Sequence, residues 1–107
     1  MNNLPKNVSC VTFEAVRLNV INKEPALREW FDLDNLDLFK TSLPRNAYIH
    51  RKYGVIYFIS GEQVRSTRDT AYTVRVIKKS GVSLVSEFQE FKTFDHAEKW
   101  LISYLSK

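Results

Sequence analysis

The sequence predicts an α+β fold: a three- to four-stranded antiparallel sheet packed by a C-terminal amphipathic helix, with short helices ahead of it in the chain. Three observations carry this expectation. Ala97, Trp100, Leu101, Tyr104 and Leu105 fall at i, i+3, i+4, i+7 and i+8, leaving Glu98, Lys99, Ser103 and Ser106 outside, so 94–105 has a single apolar stripe. Residues 71–79 alternate with period two, Tyr72, Val74 and Val76 on one face and Thr73, Arg75 and Ile77 on the other, as a strand does. Lys79-Ser80-Gly81 is turn chemistry, and the alternation resumes from Val82 to Phe91, which makes a hairpin. A helix with one apolar stripe needs a surface to cover, and the sheet supplies it.

The elements follow in order. Residues 1–7 are polar and read as disordered. Two patterns compete across 8–22: Val16, Leu18 and Val20 alternate as a strand, whereas Val11, Ala15 and Leu18 share a helix face. The reading taken is a strand over 15–21. Pro25 suits the first turn of a helix, and Leu27, Trp30 and Phe31 give a short helix over 25–31. Leu33, Leu36 and Phe39 recur every three residues behind Asp34, which can cap a second short helix or 3₁₀ turn over 32–39. Pro44 closes this region, because the residue before a proline is pushed out of the helical basin.

From Asn46 the period changes to two. Residues 47–52 and 55–60 read as strands, either one strand bent at Gly54 or two joined by a tight Lys52-Tyr53-Gly54 turn. The stretch GEQVRSTRDT at 61–70 has Val64 as its one apolar side chain and reads as a mobile loop. Ahead of the last helix, either Thr93 caps with Asp95 in the first turn, or Asp95 caps with Glu98 completing a capping box.

The 107 residues, 44% of them apolar, fit one domain spanning 1–107, and 7 Phe, 5 Tyr and 2 Trp supply a dense core. There is no repeat and no low-complexity linker. The chain has no apolar run of about 18 residues, and its first residues are not a basic segment followed by an apolar one; a cytoplasmic protein is expected. Cys10 is the single cysteine, cannot form an internal disulfide, and reads as a small buried hydrophobe.

Catalytic and metal motifs are absent from the sequence. His50 falls in a strand and His96 in a first helical turn, neither beside a nucleophile. Asp32, Asp34 and Asp37 lack the glycine turn and terminal glutamate of a calcium loop and read as a solvated acidic face. No glycine-rich phosphate loop exists, so no enzyme, cofactor or metal is expected.

Charge carries the functional expectation. The net charge is +4, but it is segregated: residues 45–79 hold eight Lys and Arg against Glu62 and Asp69, while 24–37 holds five acids against Arg28. Arg51, Lys52, Arg65, Arg68, Arg75, Lys78 and Lys79, interleaved with Tyr53 and other tyrosines, are the residue types that neutralise phosphates and stack bases. Arg65-Ser66-Thr67-Arg68 adds two guanidinium forks and two hydroxyls suited to a phosphate backbone. The expected function is therefore a small non-enzymatic nucleic-acid-binding accessory or regulatory protein, binding DNA or RNA through a basic sheet face and the 61–70 loop. The alternative is a protein-interaction module, an inhibitor or adaptor, using the acidic and aromatic 25–39 segment with Trp30 and Phe31 as anchors. An edge strand is available for pairing across a homodimer. The plainest reading of the same cations, a solvated sheet edge over a tyrosine core, stays open.

Overall fold

The computed structural model describes residues 4–23, 44–51, 54–78 and 81–107. Strand β1 (Val8–Thr12) leads directly into helix α1 (Phe13–Lys23). Strands β2 (Asn46–His50), β3 (Val55–Gln63), β4 (Thr70–Lys78) and β5 (Gly81–Leu84) follow, and helix α2 (Phe94–Leu105) comes last. The five strands form one antiparallel sheet in chain order, β1-β2-β3-β4-β5. The α+β class and the helix-covered sheet are as the periodicities predict, with five strands where three or four were expected. The two short helices expected at 25–31 and 32–39 lie outside the described residues.

Alternation along each strand gives the sheet two different faces. One face carries Val8, Tyr48, Ile59 and Val74, packed on Ala97, Leu101 and Leu105 of α2. The other carries Ala47 and Phe58 against Phe13 of α1, whose ring meets Phe58 edge-on at 5.8 Å, with Ile56, Ile77 and Val82 around them. Thr93 caps α2, its hydroxyl accepting from the His96 N–H at 3.1 Å, which selects the first of the two capping schemes.

Four local expectations change. Residues 15–21 are helical rather than extended: Phe13 is the buried anchor, its N–H donating to the Arg45 carbonyl, while Leu18 is 61% exposed and Val16 packs on the Phe13 cluster, so these two members of the suggested alternation do not share a face. The strand in this region is the stretch just before it, 8–12. Order also reaches residue 4, since Leu4 packs on the core and the Pro5 carbonyl accepts from the Val8 N–H.

The 61–70 loop is shorter than expected, with strand residues at both ends. β3 runs to Gln63 and β4 starts at Thr70, leaving a turn at 64–69 in which the Val64 N–H donates to the Asp69 carbonyl and Arg68 adopts φ +63°. Finally, β5 stops at Leu84. Both Val85 and Ser86 N–H groups donate to the Val74 carbonyl, two residues opposing one as in a bulge, and the chain rejoins β4 only where Phe91 pairs with Tyr72. Gly54, at φ +65°, closes a tight turn between β2 and β3, so the two-strand alternative holds there. Among the described residues no helix is long and apolar enough to cross a membrane.

Candidate nucleic-acid interface

The sheet distributes the predicted cations to opposite ends. β3 is nine residues long, so its two ends stand roughly 25 Å apart at about 3.3 Å per residue. Arg51 follows β2 and Lys78 ends β4, both at the end where β3 begins. Ile56 faces Ile77, so Lys78 falls beside Val55, which is itself the partner of His50. Arg65 and Arg68 occupy the 64–69 turn at the opposite end. Lys52, Tyr53 and Lys79 lie outside the described residues.

Arg75 belongs to neither exposed group. It is 7% exposed, and its guanidinium forms an ion pair with the wholly buried Glu62, Nη2 to Oε2 at 2.6 Å. The Ser60 hydroxyl donates to the same carboxylate at 2.6 Å and accepts from Arg75 Nε at 3.0 Å. The Thr73 hydroxyl donates to Glu62 Oε1 and accepts from the Gln89 N–H at 2.8 Å. Phe88 lies 5.9 Å from the guanidinium carbon, within cation–π range. The expectation that Arg75 contacts a ligand is therefore corrected: its charge is spent inside the fold. Glu62 had seemed a loop residue, and the register explains why it is not. Ser60 faces Thr73 across the strands, which sets Glu62 and Arg75 on the same face, one on either side of that pair and bridged by the long arginine side chain.

At the end where β3 begins, other residues join Arg51 and Lys78. The C-terminus of α2 and the segment before β1 arrive here, so His50, Lys6 and Lys107 line one polar recess with Asn7 and Ser106. The Arg51 N–H donates to the Asn7 carbonyl and its guanidinium Nε to the Ser9 hydroxyl at 3.0 Å, fixing the turn against β1. Beside this recess is a cleft of about 370 Å³ lined by His50, Tyr57, Tyr104, Leu105 and Lys107. Tyr104 is 42% exposed there and stacks on Trp100, centroids 5.4 Å apart and rings 15° from parallel. Trp100 in turn leans on Phe91, and Tyr57 meets Tyr104 edge-on at 6.2 Å. Lys6, Arg51, Lys78 and Lys107 are all exposed.

The acidic side chains among the described residues lie elsewhere. Glu62, Asp69, Glu87 and Glu90 belong to the far half of the β3–β4 hairpin or to the loop beside it, Asp95 to the first turn of α2, and Glu14 to the first turn of α1. Glu98 is turned to the sheet, where it accepts a hydrogen bond from the buried Tyr48 hydroxyl. Burial first, and that hydrogen bond second, push the Tyr48 phenol well above its ordinary range. The half-buried Cys10 thiol is raised by burial and then by the charge of Glu98. Neither group is placed to react with a ligand at neutral pH.

Sequence reasoning missed Lys6, His50, Tyr104 and Lys107 as companions of Arg51 and Lys78. Tyr104 was absorbed into the apolar stripe of the helix, and the others are distant in sequence. The signal available was the helix length: twelve residues rising about 1.5 Å each carry the chain from beside Tyr72 to beside His50.

Together these features define a small α+β protein with a five-stranded antiparallel sheet, apolar on the face beneath one helix and bearing a cation-rich, aromatic end. The chain belongs to a family of unknown function, DUF7447, whose model matches residues 18–102. That stretch holds His50, Arg51, Tyr57 and Lys78, while Lys6, Tyr104 and Lys107 fall outside it. No curated protein and no solved structure matches the chain.

Proposed function

We propose that this is a non-enzymatic, cytoplasmic nucleic-acid-binding accessory or regulatory protein that works through the cation-rich end of its sheet. The observation that carries the reading is the segregation of charge in space: Lys107 and His50 line an aromatic cleft and, with Lys6, the recess beside it, while Arg51 and Lys78 stand exposed at the same end of the sheet, and the acids described lie on other parts of the fold. Cations so arranged release counterions when they meet phosphates, which makes such binding steeply salt-dependent. The Arg65 and Arg68 turn, set beside Asp69 at the other end, is not part of this surface.

The test is a salt series of oligonucleotide binding to the protein and to a variant with Lys6, Arg51, Lys78 and Lys107 changed to Ala. The wild type binds with a log–log salt slope that flattens by about 3 in the variant, on roughly 0.7 to 0.9 per phosphate contact. Binding that is absent at low salt, or unchanged in the variant, would refute the proposal. A second reading, a protein-interaction module, draws on Leu84 and Phe88, which are half-exposed on and beside the edge strand β5. The open edge there is also where a second copy could pair to form a homodimer.

A further inference from the structure

We infer that the ligand is single-stranded and that the cleft between α2 and the sheet holds one unstacked base against Tyr104. The inference rests on the nucleic-acid reading above and specifies it. A duplex presents phosphates and groove edges while its bases stay stacked inside, so an aromatic ring in a recess gains nothing from it. A single strand can turn a base outward, and every base has a face that stacks on a ring. The cleft meets the requirements of such a base. Its volume of about 370 Å³ sits at the small end of ligand pockets, room for one heterocycle and its sugar rather than a larger molecule.

Tyr104 is also held in place for this role. Trp100 stacks behind it at 5.4 Å and Tyr57 abuts its edge at 6.2 Å, so the exposed part of the ring is presented with little freedom left to lose on binding. Lys107 and His50 flank the ring from two different elements, placing a cation and a hydrogen-bonding imidazole where the phosphates on either side of the base would run. The buried Leu105 also lines the cleft. An exposed aromatic ring backed by other rings and bordered by cations is the combination that recognises a strand without reading its sequence.

The experiment compares a fluorescein-labelled mixed-sequence oligonucleotide of about 12 nucleotides, as DNA and as RNA, with the same DNA annealed to its complement, by fluorescence anisotropy. Four proteins are needed: wild type, Tyr104→Ala, Tyr104→Leu and Tyr104→Phe. Tyr104→Leu keeps an apolar side chain against Trp100, and thermal melts confirm that each variant is folded. Single-strand affinity should fall about 5- to 150-fold in the Ala and Leu variants and stay within about twofold in Phe, while the weaker duplex affinity does not move. DNA and RNA should lose alike, because stacking does not involve the 2′-hydroxyl. If wild type binds the duplex as well as the strand, or if folded Leu and Ala variants lose nothing or lose both forms equally, the base-binding inference fails and the nucleic-acid reading stands. If wild type binds neither form at low salt, both fail together.

Discussion

Two regions of the sheet use positive charge in opposite ways. Midway along the β3–β4 hairpin, Arg75 is turned inward and neutralised by Glu62, with Ser60, Thr73 and Gln89 completing the hydrogen bonds. At the end where β3 begins, Lys6, Arg51, Lys78 and Lys107 remain exposed, with the acids described lying on other parts of the fold. A buried ion pair adds little net stability, because desolvation consumes most of its attraction, but it fixes which strand faces which. Exposed like charges do the reverse: they add nothing to the fold and keep their field available to a ligand. Net charge per segment therefore says little until each cation is placed.

The sharpest way to break this contrast is to remove one partner of the buried pair. Arg75→Ala leaves the Glu62 carboxylate buried without its cation and should cost about 3–5 kcal/mol, read as a lower urea midpoint. Replacing Glu62 and Arg75 together by apolar residues of similar size should cost far less than either single change, since no orphaned charge remains. If Arg75→Ala instead leaves stability untouched and weakens oligonucleotide binding, the buried and the exposed cations have been assigned the wrong way round.

Next in size is the helix that joins the two ends. Leu101 of α2 is fully buried in the cluster that also holds Val74, and Leu101→Ala should cost about 2–5 kcal/mol. Thr93→Ala removes the hydroxyl that accepts from the His96 N–H, for about 0.5–2 kcal/mol. In these residues the sequence was a sufficient guide. The stripe at 97–105 and the alternation at 71–78 are local patterns, and each marks the element that forms, with Ala97, Leu101 and Leu105 buried on α2 and β4 buried on both faces. It failed wherever a residue's environment is set by a distant partner. Glu62 and Gln63 are strand residues because Arg75, Ser60 and Thr73 satisfy the buried carboxylate, and hydropathy reads such residues as loop. Leu18 suggested a strand by its apolar character yet lies exposed on α1. The bulge at Val85 and Ser86 leaves no trace in the period at all. Of the candidate interface, Arg51 and Lys78 could be picked out in sequence, but the cleft could not, because His50 and Tyr104 meet only when α2 is laid along the sheet.

Alkaline pH probes the layer between helix and sheet. Tyr48 has its phenol raised from 10.0 in the folded state, so above about pH 10 the unfolded chain releases a proton that the native protein retains. Protons bound are then fewer in the unfolded state, and stability must fall as pH rises through that window. Cys10 adds a fall of the same sign beginning near pH 9. Tyr48→Phe removes the phenol and should flatten the part above pH 10, seen as a smaller drop in denaturation midpoint between pH 9 and 11.

The smallest effect belongs to the 64–69 turn, and it sharpens the comparison because this turn carries exposed cations that the proposal leaves without a role. Arg68 sits at φ +63°, a left-handed conformation that costs an ordinary side chain about 1–2 kcal/mol and glycine nothing. Glycine is also looser in the unfolded chain, which returns about 0.4–1 kcal/mol. Arg68→Gly should therefore be neutral to about 1 kcal/mol stabilising, while Arg65→Gly in the same turn, without the positive φ, should be neutral or destabilising. Both variants should keep the salt slope of oligonucleotide binding within about half a unit of wild type, since each removes a cation from the end that does not bind. A slope that drops by nearly one unit in either would move phosphate contacts to this turn, and the division of labour between the two ends would have to be redrawn.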